Sequence, residues 1–246
     1  GPLIAVGIWH VENMSIFAIV MIFIAVTTTL FGYRTTFANT QKEVSPKDEV
    51  LPFNAMTVYV QFFKNKALFC SGMIMILSSI VFGAMSTFIP LYTVREGFAN
   101  AGIFLTIQAI TVVIARFYLR KYVPSDGLWH HRFMMIVLTL LMVASVIVAF
   151  GPHIVSIFVY ISAIFIGITQ ALVYPTLTTY LSFVLPKIGR NMLLGLFIAC
   201  ADLGISLGGV LMGPISDTVG FKWMYILCAL LVTIAMTLSK IRQRQS

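Results

Sequence analysis

The sequence predicts an all-α membrane protein: a six-helix bundle of two inverted three-helix repeats, preceded by one further spanning helix and a truncated one. The composition, the lengths of the apolar segments and the placement of the basic residues support this fold class. Of the 246 residues, 59% are hydrophobic and 10% are charged, whereas soluble domains carry roughly 25% charged residues. So little charge excludes an ordinary soluble enzyme, a disordered chain and a nucleic-acid-binding domain, although the net charge is +8.

Seven apolar segments reach the length that a membrane-spanning helix needs, about 20 residues for a hydrocarbon core of roughly 30 Å. The shorter apolar segment Gly1–Ile8 is interpreted as the end of a helix whose beginning lies outside this sequence. The seven predicted spans are Ser15–Gly32, Ala67–Tyr92, Phe98–Leu119, Phe133–Phe150, His153–Val184, Met192–Pro214 and Trp223–Ser239.

The basic residues fall almost entirely into alternate linkers. If the linker after the first span is cytoplasmic, only Arg95 and Lys222 lie in the outer linkers. Cytoplasmic loops carry an excess of Lys and Arg, so we predict a multi-pass protein of the plasma membrane with a cytoplasmic C-terminus. The inner basic residues are Arg34, Lys42, Lys47, Lys64, Lys66, Arg116, Arg120, Lys121, Arg132, Lys187, Arg190, Lys240, Arg242 and Arg244.

The longest polar stretch, residues 33–66, divides the chain. It contains the charged segment QKEVSPKDEV and two prolines, a composition typical of a solvated linker. We predict that residues 1–32 are the remnant of an N-terminal transmembrane bundle, 33–66 a central cytoplasmic loop and 67–246 a C-terminal transmembrane bundle. Within the loop, Asn54–Lys66 forms either an amphipathic helix on the inner membrane surface or the beginning of the next span.

Two segments of equal length indicate an internal repeat. Gly102–Leu128 and Gly195–Phe221 both open with Gly, an aliphatic residue and Phe, and both place a Gly one residue before the end. The six spans after the loop then form two triplets, Ala67–Phe150 and His153–Ser239. Because each triplet has three spans, the second is inverted relative to the first, as in secondary transporters.

Asp202 is the only acidic residue well inside a predicted span. It follows Asn191 by 11 residues, so it lies roughly 16 Å deep. Insertion of a carboxylate at this depth costs about 2.5–3.5 kcal/mol on insertion scales. An acidic residue within a span is therefore first interpreted as a functional group. Asp202 is either a proton or substrate-cation site, or a group that caps or hydrogen-bonds a neighbouring helix.

The glycines near Asp202 form two GxxxG pairs, Gly204/Gly208 and Gly209/Gly213. Small residues at this spacing let two helix backbones approach closely. The pairs serve either static helix packing or a moving contact used in gating.

Pro175 lies inside an apolar span and tends to kink it. Gln170 and Tyr174 precede it at i, i+4 spacing and share a helix face, and Gln108 lies near the middle of its own span. These groups either line a substrate cavity or hydrogen-bond between helices.

Arg116 and Arg120 end one span on the inner side, where basic side chains commonly extend to the lipid headgroups. Arg116, one turn deeper, is the better candidate for a specific partner. His130 and His131 are adjacent and the three cysteines have no CxxC spacing, so we expect neither a metal site nor a cofactor.

Three stretches resemble the major facilitator superfamily, specifically its twelve-helix drug or metabolite:proton antiporters. Gly1–Gly7 resembles the end of the antiporter motif in helix five, with Gly1 and Pro2 matching. Residues 115–132 resemble the loop between helices eight and nine, which implies a cytoplasmic latch at Arg116 and Arg120. Tyr174–Ile226 is similar to helices ten to twelve. The chain then comprises the end of helix five, helix six, the central loop and helices seven to twelve.

The resemblance implies proton-coupled export of small organic molecules, drugs or a cell-made metabolite such as a metallophore, by alternating access. The expected partners are the lipid bilayer, a small-molecule substrate, protons and the N-terminal bundle of the same protein, but not nucleic acid. A symporter or uniporter of the same fold is the alternative. A membrane-embedded enzyme is disfavoured, because Asp202 alone supplies no cluster of acid, base or metal-ligand groups.

Overall fold

The computed structural model describes residues 19, 22–23, 25–30, 62–153, 155–187 and 189–245. The chain divides into two units, Gly1–Leu51 and Pro52–Ser246. In the first unit, residues 25–30 are helical and lie within the predicted span Ser15–Gly32. Gly1, Pro2 and nearly all of the predicted central loop lie outside the described residues, so the predicted three-part division stays a prediction.

The described part of the second unit contains six long helices, and each is long and apolar enough to cross a membrane. Each coincides with one predicted span, which confirms an all-α, multi-span fold. In chain order they are α1 (Lys66–Glu96), α2 (Ala101–Tyr118), α3 (His131–Ala149), α4 (Ser156–Val184), α5 (Arg190–Val219) and α6 (Phe221–Gln245). Short 3₁₀ turns follow α2 at Arg120–Tyr122 and α3 at Gly151–His153.

Local chemistry explains where these helices begin and end. The side chain of Asn65 accepts hydrogen bonds from the backbone N–H groups of Ala67 and Leu68, at 3.0 and 3.2 Å, so it caps two otherwise unpaired donors of α1. Gly97 ends α1 with φ 67°, and Gly220 separates α5 from α6 with φ 87°. Such left-handed backbone angles favour glycine.

The helices extend beyond several predicted ends: α1 runs to Glu96 and α6 to Gln245, four and six residues past the predicted ends. Helix α5 continues through Pro214 to Val219, five residues beyond the predicted end, because a proline removes one backbone donor without necessarily ending a helix that is packed on its neighbours. Residues 62–64 are helical, and Asn65 separates them from α1, which favours a separate segment before the span over a continuous start.

The helix contacts follow the predicted repeat. Exchange of the two triplets maps α1 onto α4, α2 onto α5 and α3 onto α6. The extensive contact of α1 with α5 then corresponds to that of α4 with α2, the contact of α1 with α6 corresponds to that of α4 with α3, and α3 packs on α6. Helix α1 is the most buried of the six and lies at the centre of the packing.

Two glycines outside the predicted set lie on the corresponding helices α1 and α4 of this repeat. A Cβ at Gly83 of α1 would collide with the backbone oxygen of Ile205 on α5, and a Cβ at Gly167 of α4 would lie 2.8 Å from the backbone oxygen of Gln108 on α2. Both helices contain a proline farther along, Pro90 and Pro175. Each triplet therefore brings its first helix against the second helix of the other triplet through a glycine.

Candidate functional site

A cavity of about 1130 Å³ lies along α2 and α4. It extends from the end of the bundle that carries Arg120 and His130, called here the basic end, into the apolar part of the two helices. Four of the predicted site residues line it: Arg116, Arg120, Tyr174 and Pro175. The sequence does not indicate that these residues share one cavity, because the arginines and Tyr174 lie more than fifty residues apart. The full lining is Val113, Ala115, Arg116, Phe117, Arg120, Lys121, Val123, Ser125, Ala171, Leu172, Tyr174, Pro175 and Thr179.

The cavity lining is positively charged at one end and apolar along its walls. Arg116, Arg120 and Lys121 are exposed, and no carboxylate is among the lining residues. Ala171, the innermost lining residue of α4, lies 13 residues before the end of that helix, so the cavity reaches roughly 20 Å below that end. A concave, mostly apolar wall with a few polar groups is the usual form of a small-molecule site.

Gln108 and Gln170 hydrogen-bond to each other across α2 and α4. Nε2 of Gln108 donates to Oε1 of Gln170 over 3.1 Å, which is the interhelical bond that the sequence left open as one alternative. Oε1 of Gln108 is buried without a hydrogen-bond partner among the described residues. Burial of an unpaired polar atom costs free energy, so this oxygen is an acceptor that a donor group could satisfy.

Asp202 lies on an exposed face of α5 and does not line the cavity. Its face also carries Gly195, Ser206 and Gly209, which lie within about 40° of it on a helical projection at 100° per residue. The opposite stripe, which includes Phe197 and Gly208, is buried. The structure therefore does not bring Asp202 together with Gln108, Gln170 or Tyr174, and its predicted role in proton or cation binding stays a prediction.

The two GxxxG pairs have different surroundings. A Cβ on Gly204 would lie 2.6 Å from Cβ of Ser79, and one on Gly208 would collide with the backbone oxygen of Ile80. Added methyl groups at Gly209 and Gly213 would lie 3.8 and 3.7 Å from their nearest neighbours, which is ordinary contact. The first pair therefore forms the close approach of α5 to the backbone of α1, whereas the second pair meets α1 only at ordinary contact distance, through the side chains of Thr87 and Phe88.

The predicted latch residues Arg116 and Arg120 form no ion pair with a carboxylate of the described residues; the ion pair found there is between His130 and Asp126. Nε2 of His130 lies 2.9 and 2.7 Å from the two carboxylate oxygens of Asp126. This hydrogen bond, followed by one from the backbone N–H of Leu128, lowers the pKa of Asp126 below its ordinary value. Both partners are on the surface, so the pair is weak.

Sequence reasoning missed a set of polar contacts that join α4, α6 and the loop before α3 at the basic end. The guanidinium of Arg242 on α6 donates to the hydroxyl of Tyr180 on α4 over 3.1 and 2.7 Å. Nε1 of Trp129 donates to the backbone oxygen of Ser239 over 3.1 Å, and the Trp129 and Tyr180 rings meet edge to face. No local pattern indicates these pairs, because the partners lie 62 and 110 residues apart.

Comparison with known proteins finds one matching family and several similar transporters. The chain matches the Major Facilitator Superfamily over residues 1–209 and, in a second overlapping match, over 125–244. It is 70% identical to the "Staphylopine export protein" of Staphylococcus aureus (strain Mu50 / ATCC 700699) over 243 residues, 99% of this chain and 61% of that protein. It is 23% identical to uncharacterized MFS-type transporters of Burkholderia mallei and Burkholderia pseudomallei over 176 residues, 71% of this chain and 42% of each relative.

The chain thus spans about 61% of the length of the staphylopine exporter that it matches. The matches cover both repeats and the segment before them, in agreement with the resemblance found in the sequence. With the six apolar helices, they establish that this is a multi-pass membrane protein and that it belongs to the major facilitator superfamily.

Proposed function

We propose that this chain is the larger part of a secondary active transporter that exports a small organic molecule made by the cell, by alternating access. The observation that carries the proposal is the 70% identity to a staphylopine export protein over 99% of the chain. So high an identity over both repeats supports a shared substrate, staphylopine. The activity belongs to the complete protein, with the remaining transmembrane helices as the partner of this bundle.

The substrate path begins at the cavity along α2 and α4. Arg116, Arg120 and Lys121 attract and orient acidic groups of the substrate at the basic end, because a guanidinium binds a carboxylate through two parallel hydrogen bonds. Tyr174 supplies a hydroxyl and a ring farther in. The Gln108–Gln170 pair lies next to this path on the same two helices, and its unpaired oxygen accepts a donor from the substrate or from a proton-carrying water.

Protons drive the export in this proposal, and Asp202 is the group that takes them up. A carboxylate at about half the depth of a span is costly unless it is protonated, paired or in contact with water. The exposed face of α5 leaves Asp202 accessible to the part of the protein that completes the transporter. Proton binding neutralises this carboxylate. It thereby lowers the free-energy cost of placing this face of α5 in an apolar environment.

The basic end faces the cytoplasm in the plasma membrane, and the C-terminus lies on that side. The placement of the basic residues supports this orientation. Among the described residues, the opposite end carries Arg95 and Lys222, which contact the rings of Phe221 and Phe150. Substrate then enters the cavity from the cytoplasm, as export requires.

Transport by the full-length protein in inside-out membrane vesicles tests this function. With an acidic lumen, we expect accumulation of staphylopine that a protonophore abolishes. Arg116→Gln is expected to reduce the rate severalfold, whereas Lys187→Gln, an exposed basic residue outside the cavity lining, leaves it unchanged. Absence of staphylopine accumulation, or accumulation only when protons and substrate move in the same direction, would overturn export and favour a symporter.

A further inference from the structure

A second cavity, of about 460 Å³, lies at the basic end, away from the transport path. It is formed where α1 begins, where α4 ends and where α6 nears its C-terminus. Three of its lining residues are the cations Lys64, Lys66 and Arg242. The remaining lining residues are Asn65, Ala67, Val184, Pro186 and Leu193.

The cations of this cavity are not neutralised by the part of the chain that the structure describes. No carboxylate among the described residues forms an ion pair with Lys64, Lys66 or Arg242. Three like charges around one cavity repel each other, and an anion between them removes that repulsion. The cavity therefore has the positive charge of an anion-binding site, and no carboxylate of the described residues neutralises that charge.

Arg242 is held in position for such an anion. Its Nε and Nη2 donate to the hydroxyl of Tyr180 over 3.1 and 2.7 Å, and its guanidinium lies 5.9 Å from the centre of the same ring. These contacts use a neutral acceptor and leave the positive charge uncompensated. The remaining guanidinium N–H groups can bind phosphate oxygens, a geometry that suits arginine.

The beginning of α1 adds to the positive potential of the cavity. The N-terminus of a helix carries a partial positive charge from its aligned peptide dipoles, and this helix begins at Lys66. The Asn65 side chain occupies the N–H groups of Ala67 and Leu68. The helix therefore contributes through its dipole, and the direct hydrogen bonds to an anion come from the lysines and Arg242.

The apolar side of the cavity distinguishes a lipid from a soluble anion. Ala67, Val184 and Leu193 lie at the ends of three helices that are long and apolar enough to span a membrane. In a bilayer that these helices span, their ends lie near the headgroups, and acyl chains run along their sides. Basic pockets between transmembrane helices bind anionic headgroups in this way.

We propose that Lys64, Lys66 and Arg242 form a binding site for the phosphate of an anionic phospholipid. The phosphate lies between the three cations, and the first part of an acyl chain packs against Val184, the exposed apolar residue of the lining. A bound lipid joins the beginning of α1 to the ends of α4 and α6. This site is independent of the substrate path and of the direction of transport.

The test compares lipid binding by the full-length transporter, purified in detergent and mixed with phosphatidylglycerol or phosphatidylcholine, by native mass spectrometry. We expect the wild type to retain phosphatidylglycerol preferentially. Each cation near an anionic headgroup is worth about fivefold in affinity, so the double variant Lys66→Gln/Arg242→Gln loses this preference by roughly tenfold or more. The charge-retaining variant Lys66→Arg/Arg242→Lys keeps most of it.

The matched control is Arg132→Gln/Lys240→Gln, which removes two exposed cations from the same end and outside the cavity lining. It keeps the preference if the cavity is the site. An equal loss in both double variants would show general attraction to the basic end and overturn the proposal, as would no loss in either. The unfolding temperature of the transporter is also measured with inorganic phosphate alone. If inorganic phosphate raises it as much as phosphatidylglycerol does, the assignment to a lipid is overturned.

Discussion

Nε2 of Gln108 lies 3.1 Å from Oε1 of Gln170 and donates a hydrogen bond to it. The two residues are 62 positions apart in the chain and join α2 to α4 where Gly167 brings the two backbones close together. The bond leaves Oε1 of Gln108 buried and unpaired among the described residues. An amide pair with one unsatisfied acceptor inside an apolar bundle stabilises the contact of two helices and keeps one polar atom free for another donor.

Replacement of one or both glutamines tests how much the hydrogen bond between them contributes to stability. Gln170→Leu leaves both polar atoms of the buried Gln108 amide unpaired, and this is expected to destabilise the protein by about 1–3 kcal/mol. The double variant Gln108→Leu/Gln170→Leu removes both amides and is expected to recover most of that loss. Unfolding temperature in detergent measures the effect, and a double variant that is less stable than Gln170→Leu would contradict it.

The glycines of α5 offer a second test, with a matched pair one residue apart. Gly208→Ala places a methyl group against the backbone of Ile80, and such overpacking typically costs about 1–3 kcal/mol. At Gly209 the nearest atom is 3.8 Å away, so Gly209→Ala is expected to be neutral or to gain up to about 1 kcal/mol of helix stability. The unfolding temperatures of the two variants measure the difference. Equal losses would show that contact with α1 is not the cause.

Asp202 is tested by the pH dependence of transport. Asp202→Asn keeps the size and polarity of the side chain but removes its proton-binding group. We expect the variant to lose proton-driven export while it retains substrate exchange down a concentration gradient. Vesicle assays across a range of lumenal pH values measure this. Unchanged rate and pH dependence would assign Asp202 to helix contacts alone.

The pKa of Asp126 gives a prediction outside the membrane-spanning segments. The hydrogen bond from His130 is the largest cause of its lowered pKa. Because the folded-state pKa lies below the unfolded value, the stabilisation is present above the unfolded pKa and is lost as the pH falls through the folded pKa. We expect His130→Ala to raise the pKa of Asp126 toward its ordinary value, as followed by carbon-detected NMR of labelled aspartate. An unchanged titration would assign the shift to the backbone of Leu128.

The spans and the fold class could be predicted because they depend on length and composition. All six helices of the second unit coincide with predicted spans. Helix α5 extends five residues past the approximate predicted end of its span at Pro214, because the apolar length of a segment does not fix where its helix ends. The selection of Arg116, Tyr174 and Pro175 as site residues came from the sequence, but their common cavity did not.

The sequence alone determined that this chain crosses a membrane several times, which segments do so and which ends carry the basic residues. A long apolar run has one stable environment, the hydrocarbon core, and charged linkers have another. Only the tertiary structure decided that Gly208 rather than Gly209 lies against the backbone of α1, that Gln108 binds Gln170 and that Arg242 binds Tyr180. In a membrane the lipid-facing and protein-facing sides of a helix are both apolar, so the sequence pattern leaves the rotation of each helix open until packing selects it.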